Sequence, residues 1–365
     1  MLLLYIKNRF QHRFFLTLKI VKLIEFRREG IYCTKGDFYI DPWFPVKKAV
    51  ITHAHADHAR WGMQEYLCTH ETKPILKSRI SEDISVQSLA YGETLEINGV
   101  KLSFHPSGHI VGSAQVRLEY KGFVTVISGD YKIQDDGIST PFEVLKCNEF
   151  VTESTFGLPI YQWKSVEKIN QEIQNWVIEN QKMNKISVFF GYSLGKAQRL
   201  MKALEGIATL HVHSSIHRLN EAITSTGLIL PETQLLEIDD KKALENQIVI
   251  VPPALLGTNM IKKIPNAATA ICSGWMQVRG RRRWKSADAG FAISDHADWN
   301  GLLQTIKSTE AEKVYVTHGS TEIFSKYLNE IGTAAEVEKT KFGEEEQGDD
   351  NIEPGNQEEN TNSEF

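Results

Sequence analysis

The pattern of hydrophobic and polar positions changes along the chain. Up to about residue 157, short apolar runs such as "KAVIT" and "FVTVISGD" have the length of β-strands. From about residue 158, strand-like runs alternate with helical patterns, and Ser165 can cap the first helix, in which apolar residues recur at helical spacing. This alternation predicts a parallel α/β unit, after which another strand, helix and strand follow.

Acidic residues and histidines stand just past the C-terminal ends of the predicted strands. These sites are Asp41, the cluster from His53 to His58, His109, Asp130, Glu153, His296 and His318. The strand ends of one sheet can meet in a single pocket, and loops at that edge often carry function. We therefore expect these side chains to lie close together.

The stretch "VITHAHADHA" holds four metal-capable side chains within six positions: His53, His55, Asp57 and His58. In a turn, the first two can point to one metal ion while the last two serve a second ion. Neutral imidazoles suit zinc, and a bridging carboxylate such as Asp130 lets two cations sit close together. Two such ions can activate water and neutralise charge, which phosphodiester hydrolysis needs. A lone histidine is more often structural, but this density favours a metal site.

Charge is spread unevenly over the 365 residues, whose formal net charge is -5. Residues 342–365 hold nine acidic residues and no basic one, which predicts a disordered acidic tail. A nucleic-acid partner would therefore be held by local basic patches rather than by overall charge.

One such patch is "RGRRRWK", with five basic residues in seven positions. Its members include Arg279, Arg281, Arg282, Arg283 and Trp284. Arginine grips phosphates and an aromatic ring stacks on a base, so we expect this run to bind nucleic acid, with Lys196 lining the same groove. The alternative is a solvated basic loop, which the position of the run just before the His296 strand disfavours.

Four scattered cysteines without CxxC spacing indicate reduced thiols and a cytoplasmic chain. No run of 18 apolar residues occurs, so we expect no membrane span. Residues 1–22 are basic and apolar, but charges interrupt their apolar runs and no small-residue cleavage site follows. We expect a short helical N-terminal extension there, or an upstream start codon, rather than a signal peptide.

Several motifs together resemble one known group of proteins. "HAHADH", with Asp41, His109 and Asp130, resembles the metallo-β-lactamase superfamily. "TESTFG", "SDHADW" and "VTHG" resemble motifs A, B and C of its β-CASP branch, and "SLGKAQRL" is similar to a stretch of that branch's inserted domain. With "GIYCTKGDFYIDPW" and "SGWMQVRGRRRW", the chain from about Leu23 to Lys341 most resembles the bacterial ligase-associated DNA exonucleases, which are relatives of messenger-RNA 3'-end processing factors.

The resemblance implies an α/β protein with a four-layer αββα metallo-β-lactamase fold and an inserted α/β β-CASP domain. The core would be formed by residues 23–157 and 294–341, and the β-CASP domain by residues 158–293. The active site would lie in the cleft between them. The extension 1–22 and the tail 342–365 fall outside the resemblance.

The resemblance also implies a role for each site residue. A first zinc ion would be held by His53, His55 and His109, and a second by Asp57, His58 and His318, with Asp130 bridging. Manganese would be able to substitute for zinc. Asp41 would be a carboxylate behind the ligands that fixes the tautomer of a ligand histidine.

The catalytic residues implied are His296, Glu153 and Asp57. His296 would be the general acid for the leaving oxygen, with Glu153 holding its ring, while Asp57 is also a ligand.

The resemblance implies a zinc-dependent exonuclease that hydrolyses DNA and acts in repair with a DNA ligase and a helicase. An RNA-processing nuclease of the same fold is the alternative, because a histidine at motif C, His318, resembles the RNA-processing members. A thioester or lactam hydrolase is disfavoured, since a small substrate needs neither the inserted domain nor the arginine run. A scaffold with an inactive site is disfavoured because every ligand of the pattern is present.

Overall fold

The computed structural model describes residues 22–278 and 287–341, which form an α/β protein with three β-sheets. The predicted nucleic-acid contacts Arg279, Arg281, Arg282 and Arg283 lie outside these residues, as do nearly all of the N-terminal extension and the acidic tail. None of the helices in the described part of the chain is both long and apolar enough to cross a membrane.

The first sheet is mixed and its strands follow one another in chain order. They are β1 (Ile24–Arg27), β2 (Gly30–Cys33), β3 (Phe38–Ile40), β4 (Lys48–Val50), β5 (Glu65–Thr69) and β6 (Val86–Leu89). The first three pair antiparallel and the last four pair parallel. Helix α1 (Thr72–Arg79) follows β5 and buries Ile75 and Leu76.

The second sheet is also mixed and has the spatial order β19-β18-β11-β10-β9-β8-β7. Its strands are β7 (Thr94–Ile97), β8 (Val100–Pro106), β9 (Ala114–Tyr120), β10 (Phe123–Ile127), β11 (Glu149–Ser154), β18 (Lys313–Gly319) and β19 (Ala335–Val337). One core joins the first two sheets, where Phe38 and Ile40 pack with Phe104 and Val116. Helices α6 (Trp299–Thr309) and α7 (Thr321–Glu330) contribute to a second core that includes strand residues of β10, β11 and β18.

The third sheet is entirely parallel, with the order β14-β13-β15-β12-β16-β17. Its strands are β12 (Ile186–Phe190), β13 (Leu210–Val212), β14 (Gln234–Leu235), β15 (Ile248–Val251), β16 (Ala267–Cys272) and β17 (Ala289–Phe291). The helices of this unit are α2 (Val166–Lys182), α3 (Lys196–Leu204), α4 (Ser214–Thr224) and α5 (Asn259–Lys262). The hydroxyl of Ser165 accepts a hydrogen bond from the Lys168 amide, which confirms the predicted helix cap.

The third sheet interrupts the second one along the chain. Strands β11 and β18 are parallel neighbours, yet the whole third sheet comes between them in sequence. This pairing continues to Ser154 opposite Gly319. Glu153 and His318 therefore lie within the last residues of β11 and β18, whereas the sequence predicts that they lie just past the strand ends. Gly319 has a φ of 88°, and a Cβ there would stand 2.4 Å from Thr155 Cα, so only glycine fits.

Candidate metal centre

Histidines and carboxylates from both mixed sheets meet at one place. Two groups of candidate ligands are His53, His55, His109 and Asp130, and His58, Asp130 and His318. Within each group the ligating atoms lie within 4.8 Å of one another. Asp130 belongs to both groups, and also to a third with Glu153 and His296. The loop after β10 therefore places Asp130 at the centre of the cluster.

The tautomers of His55 and His109 follow from their contacts. His55 Nε2 lies 3.2 Å from the Leu194 carbonyl and His109 Nδ1 lies 2.7 Å from the Asp295 carbonyl. A carbonyl only accepts, so these nitrogens carry the protons of the two rings. Burial lowers the pKa of both histidines and keeps the rings neutral. Their remaining nitrogens, His55 Nδ1 and His109 Nε2, are then two acceptors only 3.0 Å apart.

His53 presents a third lone pair to the same place. The hydroxyl of Thr52 donates to Asp41 Oδ2 at 2.5 Å and accepts from His53 Nδ1 at 3.0 Å. The other nitrogen of His53, Nε2, is buried, has no hydrogen-bond partner among the described residues and lies 3.6 Å from Asp130 Oδ2. Burial holds the pKa of His53 well below its ordinary value, so the ring is neutral.

This donor set fits a metal ion. Two acceptor nitrogens 3.0 Å apart repel each other unless a cation binds both, and a buried acceptor without a partner is costly. Three neutral imidazoles and one carboxylate are ligands that zinc accepts. The fit therefore rests on His53, His55, His109 and Asp130.

His58 faces carboxylates on both sides. Its Nδ1 donates to Asp41 Oδ2 at 2.7 Å, and its Nε2 lies 3.5 Å from Asp130 Oδ2 and 3.7 Å from Asp57 Oδ2. Burial opposes protonation, but Asp130, Asp57 and Asp41 outweigh it and raise the pKa of His58 to about 10. Without a metal ion this ring is therefore a cation, and a metal ion at Nε2 would compete with its proton.

Asp130 and His318 complete the second group. His318 Nδ1 lies 3.5 Å from Asp130 Oδ1. Burial alone would raise the pKa of Asp130, but His58, His318 and His296 hold it well below its ordinary value. A cavity of about 10 Å³ is lined by Asp41, His58, Asp130 and His318, among others. It has the size of one water molecule or one ion.

Backbone strain marks two of these positions. His318 has a φ of 52° and Asp41 a φ of 43°, a region that residues other than glycine rarely adopt. Strained residues persist where the surrounding structure holds them, and they concentrate at functional sites. The Ser154 hydroxyl donates to the His318 carbonyl at 2.6 Å and helps to hold it.

His296 and Glu153 form a buried pair beside the metal ligands. Their side chains are each 2% exposed, and His296 Nδ1 lies 2.9 Å from Glu153 Oε2. The Tyr131 amide donates to the other carboxylate oxygen at 2.8 Å, and the Thr155 hydroxyl also contacts Glu153. The carboxylate is thus fixed and directs Nε2 of His296 away from itself. The ring centroids of His296 and His109 are 4.7 Å apart.

The sequence predicts that Lys196 lines the nucleic-acid groove, but the structure buries this side chain. It is only 4% exposed, and its ammonium lies 3.2 Å from Asp295 Oδ2. A basic residue in the first turn of a helix is usually solvated, and no local pattern indicates that Asp295 would reach it. Sequence reasoning also missed Thr52 and Asp295 as site residues. Their only signal is that each directly precedes a site histidine, in "ITH" and "SDH".

Comparison with known proteins identifies relatives of this chain. No family model matches the chain. It is 28% identical over 309 residues to a protein of Opitutus terrae named "Probable DNA ligase", which covers 84% of this chain and 30% of that protein. It is 26% identical over 178 residues to the cleavage and polyadenylation specificity factor 73 of Drosophila melanogaster, covering 45% of this chain and 25% of that protein. The chain thus spans less than a third of the length of either relative.

A solved structure shares the fold. It is a protein of unknown function from Enterococcus faecalis, with a TM-score of 0.54 and 13% sequence identity, covering 80% of this chain and 78% of that one. The described residues thus form an α/β protein with a buried cluster of histidines and carboxylates that could hold metal ions. More particularly, the chain is similar in sequence to metallo-β-lactamase/β-CASP proteins, which confirms the resemblance seen in its motifs.

Proposed function

We propose that the chain is a zinc-dependent nuclease that hydrolyses phosphodiester bonds of DNA. The observation that carries this proposal is the pair of ligand groups that share Asp130. Two cations close together can stabilise both the attacking and the leaving oxygen of a phosphodiester, and a shared carboxylate allows them to lie close. In its finer form, the proposal is an exonuclease that trims DNA ends in repair together with a DNA ligase.

The proposed fold is the four-layer αββα metallo-β-lactamase fold with an inserted β-CASP domain. The proposed core consists of residues 23–157 and 294–341, and the insertion of residues 158–293. The topology supports this division, because the parallel third sheet separates β11 from its neighbour β18 in sequence.

In the proposed site, His53, His55 and His109 would hold one zinc ion, and His58, Asp57 and His318 would hold the other, with Asp130 as a ligand common to both. Zinc ions bound there supply Lewis acidity, which activates water and offsets negative charge on the phosphate. The chain's own residues keep the ligand histidines neutral and oriented towards the metal site. The hydrogen bonds to Leu194, Asp295 and Thr52 support that role.

His296 is the proposed proton donor. Its Nδ1–H points to Glu153, so Nε2 is the atom that delivers a proton to the departing sugar oxygen. A fixed carboxylate behind an imidazole sets the orientation of the ring and stabilises its protonated form. Glu153 is held by the Tyr131 amide at 2.8 Å and by Thr155, which supports this positioning role.

DNA is the proposed substrate, and RNA is the second candidate. The name of the Opitutus relative, whose match covers 84% of this chain, favours DNA. The name of the Drosophila relative concerns cleavage and polyadenylation, and it favours RNA, as does the histidine at position 318. Arg279, Arg281, Arg282 and Arg283 are the proposed phosphate contacts.

The test uses the full chain, stripped of metal and then supplied with zinc or manganese. End-labelled single- and double-stranded DNA and RNA are offered side by side, and bound metal is measured by elemental analysis. We expect close to two metal ions per chain and metal-dependent release of short products from DNA. Cleavage of RNA alone would establish the second candidate. A folded protein that takes up no zinc, or that cleaves neither polymer, would refute the nuclease.

A further inference from the structure

A second charged cluster lies directly behind the candidate metal ligands. Its members are Lys132, Asp136, Lys196, Arg199 and Asp295, whose side chains are each at most 5% exposed. Lys132 Nζ contacts Asp136 at 2.5 Å. Lys196 Nζ and an Arg199 guanidinium nitrogen lie 3.2 Å and 3.7 Å from the carboxylate oxygens of Asp295. The proposed nuclease mechanism assigns no role to any of these side chains.

Helix α3 of the third-sheet unit uses this cluster to hold one short segment, residues 294–297. Arg199 donates a hydrogen bond to the Ser294 carbonyl in addition to its ion pair with Asp295. Burial alone would raise the pKa of Asp295, but Lys196, Lys132 and Arg199 hold it well below the ordinary value for a carboxyl.

The segment held in this way carries both parts of the candidate site. The backbone carbonyl of Asp295 accepts the Nδ1–H of His109 at 2.7 Å and so selects the tautomer whose Nε2 faces the cluster of metal ligands. The next residue, His296, is the candidate proton donor, and its carbonyl accepts the Trp163 indole N–H at 2.9 Å. A displacement of this segment would therefore disturb a ligand and the proton donor together.

His109 is held from its other side as well. Lys132 Nζ donates to the His109 carbonyl at 3.3 Å, and Gly108 has no room for a side chain because a Cβ would stand 2.2 Å from the Lys132 carbonyl. The charged cluster thus contacts the backbone of His109 and supplies the acceptor for its ring.

A contribution to folding stability does not explain why this charged cluster is buried. It buries three cations against two carboxylates, and desolvation makes buried ion pairs about neutral or unfavourable relative to apolar side chains of similar size. Ion pairs in such places can instead fix one arrangement among several. Here the arrangement that is fixed is the position of the Asp295 carbonyl, which accepts the Nδ1–H of His109.

We propose that Asp295, held by Lys196 and Arg199, is a positioning residue that aims His109 at the metal and His296 at the leaving group. This inference rests on the proposed function. It gives helix α3 a specific role, since its buried Lys196 and Arg199 set the affinity of the centre for its metal and the rate of the proton-transfer step.

The test measures zinc affinity by competition with a chelator and, separately, kcat and KM on a nucleic-acid substrate. Asp295→Asn and Lys196→Met are each expected to weaken zinc binding about 10- to 100-fold, the usual effect of a residue that orients a ligand. We expect kcat to fall while KM stays the same. Because the two side chains act as one unit, the double variant is expected to lose no more than the worse single variant.

Lys202→Met is the matched control. Lys202 lies on the same helix α3, but its ammonium pairs with Glu205 at 2.7 Å on the surface, with about half of each side chain exposed. We expect zinc affinity and kcat to stay at the wild-type level. Lys196→Arg, which keeps the positive charge, is expected to retain most of the affinity that Lys196→Met loses.

Three outcomes decide the proposal. Wild-type zinc affinity in a folded Asp295→Asn variant would overturn it. If Asp295→Asn does not fold, the double variant decides instead, since it removes one cation and one anion together, and wild-type affinity there would overturn the proposal equally. Weakened zinc binding in folded variants with an unchanged Lys202→Met control supports it. Failure of the wild-type protein itself to bind zinc would refute the proposed function and is distinguishable from all of these.

Discussion

Asp41 binds His58 and Thr52 through the same carboxylate. Its Oδ2 accepts His58 Nδ1 at 2.7 Å and the Thr52 hydroxyl at 2.5 Å, and its Oδ1 accepts the Thr52 amide at 2.8 Å. Since Thr52 in turn accepts from His53, one buried carboxylate sets the tautomers of two candidate ligands.

Asp41→Asn should therefore weaken metal binding without unfolding the protein. An amide cannot accept all three of these hydrogen bonds as the carboxylate does, so both rings lose their fixed orientation. We expect zinc affinity to fall about 10- to 100-fold in a chelator competition. Asp83→Asn, at an exposed position, is the control and should bind as the wild type does. Equal affinity in the two variants would mean that Asp41 only serves the turn after β3.

His296→Ala tests the proton donor. The variant should keep both metal ions and bind nucleic acid normally, yet cleave at least about 100-fold more slowly, because general-acid help is worth about 10²- to 10⁴-fold. A substrate with a sulfur leaving group needs no proton and should recover much of that loss. Loss of a metal ion would instead make His296 a ligand, and a wild-type rate would make it structural.

The pKa of His58 predicts a pH dependence of the metal-free protein. This pKa is raised from 6.5 to about 10, so the charged ring stabilises the fold fully below pH 6.5, and that contribution is lost as the pH rises towards about 10. Urea unfolding in the presence of a chelator should show this loss in the wild type. It should be absent from His58→Gln, which cannot be protonated, and present in His217→Gln, whose histidine is partly exposed. Parallel curves for His58→Gln and the wild type would contradict the assignment.

A triple alanine variant tests whether the arginine run binds nucleic acid. Replacing Arg281, Arg282 and Arg283 by alanine should weaken nucleic-acid binding and flatten its dependence on salt, by up to about one unit of slope for each phosphate that is no longer bound. Binding measured across a salt series checks this, with metal content expected to stay constant. Unchanged affinity and slope would identify the run as a solvated loop.

The sequence alone predicts which residues approach the centre but not what holds them there. Asp41, His109 and Asp130 could be found because each follows a strand, and strand ends gather at one edge of a sheet. The Thr52 hydroxyl could not be found, since its role depends on two hydrogen bonds whose directions only the folded backbone sets. The burial of Lys196 could not be predicted for a similar reason. Its partner Asp295 lies far away in sequence, and no local pattern predicts their ion pair.

The connection between β11 and β18 has a consequence for synthesis of the protein. Ser154 contacts the His318 carbonyl across a sequence separation of 164 residues, and the third sheet must be made before that contact can form. Long-range strand pairing of this kind is slow and comes late in folding. A nascent chain on the ribosome therefore holds the first histidine cluster long before it holds a finished centre. The candidate centre therefore stays incomplete until strand β18, which carries His318, has been made.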